Sequence, residues 1–405
     1  MDIVIAAQYL GNLEAPEGNN SRFLYLARML KERGHEVEIV TSSFFHEEKR
    51  PLKQLPREIY GCALTVLPEP GYRKNVSLRR IYSHQRLSMA LRRYLKKRKK
   101  PDVLYAAVPS LSLGAQGAAY CKKAGVPLVI DVQDLWPEAF EMVFRVPLLS
   151  NLLYAPLRRQ ANFVYGQANA VAAVSETYVQ RALSVNKKAE KSAVVYLGTE
   201  LKAFDAMKAA EPALIKPEGE IWLGYVGTLG NSYEVQKVLE AMDKLKQAGR
   251  CEKLRFIVMG EGENREKLEA FFQGRRLAVT FTGQLPYPNM VSTLCLCDFA
   301  VNPIRKGAAS IINKVGDYAA AALGVINTQE CEEYKRLLQE YGAGIHCKNG
   351  DGEALEKAIE TLYAQKEERE AMGRGNRRLA EERFDRGASY KALCALTEQA
   401  GERKA

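Results

Sequence analysis

Short apolar runs alternate with amphipathic stretches along almost the whole chain, and the alternation lapses once, near the middle. The first cycle sets the theme: IVIAAQ at 3–8, a loop rich in Gly, Pro and Asn at 10–20, the periodic stretch SRFLYLARMLKERG at 21–34, then VEIVTS at 37–42. Strand, loop, helix closed by Gly34 and second strand fold into a right-handed βαβ unit with a parallel sheet. Further strands are expected at 63–67, 103–107, 127–132, 170–174 and 193–197. The polar segment 199–220, with two prolines, breaks the rhythm. It resumes with strands at 221–226, 254–260, 279–283, 298–303 and 324–328 and helices at 233–248, 263–272, 287–295 and 312–322. This predicts an α/β protein of two Rossmann-like domains, 1–198 and 199–385, whose last helix, about 386–405, returns to the first domain. Ligands of such open sheets bind at the carboxyl ends of the strands, so a cleft between two sets of strand ends is expected.

Composition narrows the classes. Eight cysteines lie scattered without a CxxC pair, and four histidines form no cluster, so neither a disulfide framework nor a zinc site is expected, and the thiols are read as reduced and mostly buried. No apolar run reaches about 18 residues and the first residues lack a secretion signal, which gives a cytosolic address as the expectation. The charge is one-sided: residues 1–200 hold 29 Lys and Arg against 18 Asp and Glu, while 201–405 hold 30 of each. Much of the excess falls in RKNVSLRRIYSHQRLSMALRRYLKKRKK at 73–100, a segment suited to anionic lipid headgroups. A nucleic-acid partner is not expected, because the stretch lacks interleaved aromatics and any reader motif. The segment 140–167, large apolar residues mixed with Arg145, Arg158 and Arg159, is a second candidate for contact with a headgroup layer.

Several loops carry groups suited to a phosphorylated ligand. In PEGNNSR, Gly18 lets the backbone pass close to a ligand, while Asn19 and Asn20 can cap the following helix or touch phosphate. Asp131 and Asp134 follow an apolar strand at its carboxyl end, where two carboxylates can orient sugar hydroxyls and one can accept a proton. GTLGNS, with Gly227, Thr228 and Gly230, precedes a helix start, a place that favours a diphosphate. Glu261 and Gly262 lie in a turn from strand to helix that is compatible with a nucleotide, though neither a GxGxxG nor a P-loop motif is present.

GHEVEIVTS at 34–42, DVQDLWPEAF at 131–140, YVGTLG at 225–230, VMGEGENREKLE at 258–269 and NKVGDYAAAALGVI at 313–326 occur in the order and spacing of GT4-family glycosyltransferases. The DLWPE and NK..DY..A elements resemble the subgroup that builds capsule, O-antigen and exopolysaccharide repeat units, similar to the N-acetylfucosamine transferases. The resemblance implies a GT-B fold and retaining transfer of a hexosyl or N-acetylhexosaminyl group. The donor would be a nucleotide sugar, UDP-linked for preference, and the acceptor a lipid-linked saccharide at the inner face of a membrane, with no cofactor and no metal. It places Asp317 where the family holds the donor ribose diol, and puts the turn at Glu261 and that near Gly283 beside base and ribose. Two departures stand out. The acidic residue that holds the donor sugar falls on Ala309, which shifts sugar recognition to backbone amides from Gly307 to Ser310. The family's Arg and Lys after the GT turn are missing, which leaves Arg305, Lys306 and Lys314 as candidate counter-charges. Rivals are a nucleotide-sugar 2-epimerase of the same architecture and a non-catalytic subunit of a sugar-transfer complex.

Overall fold

In a computed structural model the chain is described at residues 1–14, 21–108, 110–138, 150–305 and 310–402. It divides into two compact units, Met1–Val195 with Tyr390–Ala405, and Tyr196–Ser389.

The first unit is built on a sheet of eight strands. They are β1 (Asp2–Ala6), β2 (Glu36–Ser42), β5 (Glu58–Ile59), β6 (Cys62–Leu67), β7 (Val103–Val108), β8 (Leu128–Val132), β9 (Ala170–Ala173) and β10 (Lys191–Val194), while β3 (Phe44–Phe45) and β4 (Arg50–Pro51) form a separate two-stranded ribbon. The order across the sheet is β10-β9-β8-β7-β1-β2-β6-β5, parallel throughout except for β5 at the edge. Every residue of β7 and β8 is buried, as helices on both faces of a parallel sheet require, and this is why these strands read as continuous apolar runs. Helix Arg22–Glu32 buries Phe23, Leu24, Leu26, Ala27 and Leu30. Helix Lys391–Glu402 sets Leu393, Leu396 and Ala400 into the same core as Ile3, Ile5 and Tyr105. Each buried leucine there contributes about 1.5–3 kcal/mol. The fit is close, since a Cβ on Gly401 would lie 2.6 Å from the Met1 sulfur.

The second unit carries six parallel strands, β11 (Ile221–Val226), β12 (Leu254–Met259), β13 (Val279–Gly283), β14 (Phe299–Asn302), β15 (Gly324–Asn327) and β16 (Gly344–His346). Their order is β13-β12-β11-β14-β15-β16, the doubly wound arrangement whose strand order reverses between β11 and β14. Leu239, Phe256, Val258 and Ile359 fill its core.

The two Rossmann-like sheets agree with the α/β reading. The differences lie in short pieces. The ribbon β3–β4, the edge strand β5 and β16 are two or three residues long and carry no periodicity to detect. The lapse at 199–220 contains helix Leu201–Met207, which buries Leu201 and Phe204. Two apolar anchors in seven residues are enough to dock a turn of helix and too few to show a pattern. None of the eight cysteines forms a disulfide, and six of them are buried.

Candidate functional site

In the first unit the charged residues at the strand ends are drawn inward. Asp131, the second-last residue of β8, is fully buried, so it does not present its carboxylate at an open strand end. Arg22 Nε donates to its Oδ2 at 2.7 Å, Arg22 Nη2 to its Oδ1 at 3.2 Å, and the Tyr105 hydroxyl to its Oδ2 at 2.6 Å. Arg22 also donates to the Val195 carbonyl at 2.8 Å and lies 4.9 Å from the Tyr390 ring centroid. Burial works against the charge of this guanidinium, yet Asp131 and the neighbouring tyrosines hold its pKa above the ordinary value. Both oxygens of Asp131 are therefore engaged within the fold. Asp134 differs. It is half-buried, accepts from Trp136 Nε1 at 2.9 Å, and burial raises its pKa, which favours proton uptake at this carboxylate.

A second group at these strand ends escaped the sequence reading. The Glu69 carboxylate accepts from Gln8 Nε2 at 3.1 Å, Ser42 Oγ at 2.5 Å and Ser83 Oγ at 2.7 Å. Beside it the Tyr9 hydroxyl meets His84 Nε2 at 3.2 Å and Arg80 Nη2 at 3.2 Å, while His46 Nδ1 meets the Tyr72 hydroxyl at 2.6 Å. Burial first, then Lys49 and Arg80, push His46 down to about 4, and burial first, then Arg80 and His46, push His84 down to about 3. The Arg80 guanidinium lies 4.8 Å from the Trp136 ring centroid. The available signal was position: Gln8 and Tyr9 follow β1, Ser42 ends β2, and Glu69 comes just after β6.

The basic segment at 73–100 forms helix Leu78–Lys97, capped by Ser77, whose side chain accepts from the Arg80 backbone N–H. Ser83, His84, Leu87, Ser88, Leu91 and Leu95 face inward. A second apolar stripe faces out. Leu78 is 85 % exposed, and Val76, Ile81, Tyr82 and Met89 are exposed with it, among exposed Arg73, Lys74, Arg79 and Arg86. Of the second membrane candidate, 140–149 lies outside the described residues and Ser150–Gln167 is helical. Among the described residues no helix is long and apolar enough to cross a membrane.

In the second unit the loops after β11 and β12 cross backbone to backbone. Gly227 has φ +136°, Gly260 has φ +156°, and a Cβ on Gly260 would lie 1.9 Å from the Gly227 carbonyl oxygen. A Cβ on Gly262 would lie 2.6 Å from the Leu229 backbone. Side chains at these positions would force the loops apart, so glycine is required for packing as much as for conformation. Thr228 is exposed, and its carbonyl accepts from the Tyr225 hydroxyl at 2.7 Å. The Gly230 carbonyl accepts from the Tyr233 amide at 3.1 Å, which opens the path to helix Val235–Gln247. Glu261 pairs with Arg265, and Gly283 has φ +74° with a would-be Cβ 2.9 Å from Glu261 Oε1. Arg305 is exposed, and it lines, with Leu229, Asn231, Tyr233 and Lys267, a cavity of about 220 Å³. Ser310 holds the Gln329 side chain through its carbonyl, at 2.5 Å.

Asp317 and Lys314 lie on one short helix, Lys314–Ala320. One oxygen of Asp317, Oδ1, accepts from Thr199 Oγ1 and from the Tyr287 hydroxyl, both at 2.8 Å. Burial raises its pKa and these hydrogen bonds pull it back, with Arg386 assisting. Lys314 is buried between the Tyr225 and Tyr233 rings, its Nζ 4.0 Å from each centroid. A Cβ on Gly227 would lie 2.9 Å from that Nζ. The structure thus brings Gly227, Thr228, Gly230, Glu261, Gly262, Gly283, Arg305 and Lys314 around one loop crossing, with Asp317 one helical turn from Lys314. Gly18, Asn19, Asn20, Lys306, Gly307 and Ala309 lie outside the described residues. Among those described, no group of three His, Cys, Asp or Glu side chains is placed to hold a metal ion.

Comparison with known proteins follows the same division. Residues 17–198 match the glycosyl transferase 4-like domain and residues 207–379 match the glycosyl transferases group 1 family. A sulfoquinovosyl transferase of Arabidopsis thaliana is 24% identical over 386 residues, 92% of this chain and 69% of the relative. Among solved structures, sucrose-phosphate synthase from Thermosynechococcus elongatus superposes with a TM-score of 0.74 at 16% identity, covering 99% of both chains. HepE of Anabaena, in complex with UDP, superposes with a TM-score of 0.70 at 15% identity over 100% of this chain and 99% of the other.

Proposed function

We propose that this chain, which belongs to the GT4 family of GT-B glycosyltransferases, moves a hexosyl or N-acetylhexosaminyl group from a UDP-sugar to a lipid-linked saccharide, with retention at the anomeric carbon. The observation that carries the reading is Asp317. With Oδ1 clamped by Thr199 and Tyr287, the carboxylate is held in one orientation before any ligand arrives, and no hydrogen bond to Oδ2 is made by the described residues. A fixed carboxylate with one oxygen to spare suits the two hydroxyls of a ribose. The named relatives support the same class: one is a sulfoquinovosyl transferase, and another was captured with UDP.

In this reading the glycine crossing at Gly227 and Gly262 seats the diphosphate, and Glu261, Gly283 and Arg305 border the nucleotide. Asp134, whose burial favours proton uptake, orients the acceptor hydroxyl, while Asp131 serves by holding Arg22. Charge on the leaving group is met by protein groups, so no metal or cofactor is used. Helix Leu78–Lys97 lays its outward stripe, Leu78, Ile81 and Tyr82, against an anionic membrane surface on the cytoplasmic side, where arginines beside it meet the headgroups. A role in cell-surface polysaccharide assembly of the capsule or O-antigen kind follows from such an acceptor, and the N-acetylfucosamine transferases remain the subgroup of reference.

The test is binding before turnover. UDP should raise the melting temperature of the wild-type protein by mass action and leave Asp317→Ala unmoved. An equal shift in both proteins would remove Asp317 from the site. No shift with UDP, GDP or ADP would overturn the reading.

A further inference from the structure

Lys314 is a buried base for which the described residues supply no counter-charge. The residue is 8 % exposed, and its ammonium nitrogen makes no hydrogen bond to any described residue. No carboxylate among the described residues lies within ion-pair distance of it. What faces it are two rings, Tyr225 from β11 and Tyr233 from the loop before helix Val235–Gln247, each with its centroid 4.0 Å away. Burial holds both phenols neutral, so neither can act as the anion. Asp317 on the same helix is occupied with Thr199 and Tyr287. Two aromatic faces repay only part of the cost of withdrawing an ammonium from water. An apolar side chain would fill the same space without it.

The ammonium is shut off from solvent in the free protein, and the bare backbone of the Gly227 turn lies beside it. Gly227 leaves free the volume its side chain would occupy, and that missing atom would sit 2.9 Å from Nζ. We propose that Lys314 is the cation that meets the donor diphosphate in this chain, stored between Tyr225 and Tyr233 in the free protein and drawn onto a phosphate oxygen when the nucleotide seats on the Gly227 turn. The inference rests on the nucleotide-sugar reading above and names the group that neutralises the leaving anion. When the bond between the anomeric carbon and the phosphate oxygen breaks, its electron pair leaves with that oxygen. The acceptor hydroxyl oxygen bonds to the carbon, and its proton passes to the departing phosphate. Lys314 transfers no atom in this step; it offsets the negative charge that develops on the leaving oxygen.

A lysine stored without a counter-ion and used with one takes up a proton as the ligand binds. Burial lowers the Lys314 pKa well below the ordinary lysine value, while an adjoining phosphate restores the charged form. Calorimetry of UDP binding at about pH 8 in Tris and in HEPES measures that uptake, because the nucleotide phosphates are already ionised there. The wild type is expected to gain a fraction of a proton per UDP bound. Lys314→Met should bind UDP about 10- to 100-fold more weakly and show no uptake. Lys314→Arg should recover part of the affinity, also without uptake, since a guanidinium stays charged throughout. Unchanged affinity and uptake in a folded Lys314→Met overturns the proposal while leaving the nucleotide reading intact. A wild type that binds no nucleoside diphosphate overturns both. Should Lys314→Met not fold, Tyr233→Ser admits water to the lysine and must reduce the uptake; an undiminished uptake in that variant also refutes the inference.

Discussion

Arg22 in the first unit and Lys314 in the second are both withdrawn from water, and the fold treats them in opposite ways. Arg22 finds a carboxylate, a carbonyl and a ring within the unit, so its charge is answered inside the chain. Lys314 finds two neutral rings and the space beside a glycine. The first arrangement holds the ends of β8 and β10 to helix Arg22–Glu32. The second leaves a base that no described residue answers, the arrangement expected of a group that takes its counter-charge from a ligand.

The contrast can be broken first at Arg22. Arg22→Met leaves Asp131 buried without its partner and should cost about 3–5 kcal/mol in urea unfolding followed by a probe in the first unit. Adding Asp131→Leu should recover most of the loss, because no charge is then stranded; a double variant as unstable as the single one would show the pair is not the cause. Next come two histidines of the first unit. With folded values of about 4 and about 3 against roughly 6.5 unfolded, His46 and His84 bind their protons later in the folded chain. Stability is therefore lost as pH falls below about 6.5, and His84→Gln should lessen the loss between pH 7 and pH 4 by on the order of 3 kcal/mol. Chemical denaturation at the two pH values decides it, and parallel losses in both proteins would count against a neutral His84.

Lys314→Met sharpens the comparison from the other side. Removing an unanswered base should stabilise the free protein near pH 7, by about 1–2 kcal/mol in a melting experiment, even as nucleotide binding weakens. The sign follows from the lowered pKa: the unfolded chain holds the proton more tightly, so wild-type stability climbs with pH and the variant's lead closes as pH approaches about 10.4. A variant less stable than wild type near neutral pH would mean the ammonium is answered after all. The smallest effect on the fold belongs to the exposed stripe. Leu78→Asp with Ile81→Asp should change stability by less than about 0.5 kcal/mol, yet reduce sedimentation with vesicles containing phosphatidylglycerol, and undiminished sedimentation would detach that helix from the membrane.

The two units also differ in how much of each was legible. The alternation of apolar runs and amphipathic stretches is a local signal, and the sheets followed from it; strands of two or three residues carry too few positions to show one. Site residues divide along the same line. Gly227 and Gly262 sit in turns between clear strands and helices, where a glycine has few other uses. The fate of Asp131 was settled by Arg22, 109 positions away, and the sequence places nothing beside it to suggest that partner. Lys314 could be picked out as a candidate cation, but its isolation could not, because that depends on two tyrosines from other elements and on Asp317, one turn away, being engaged with Thr199 and Tyr287.

The helix Lys391–Glu402 belongs to the core of the first unit although nearly two hundred residues of the second unit separate it from Val195. During synthesis the second unit has all of its chain before the first does. The earlier-made sheet must wait, with Ile3, Ile5 and Tyr105 lacking their final cover, until Leu393 and Ala400 emerge. Order of manufacture and order of completion are thus reversed in this protein, and a ribosome-stalled product that stops at Ser389 would carry a finished second unit behind an unfinished first.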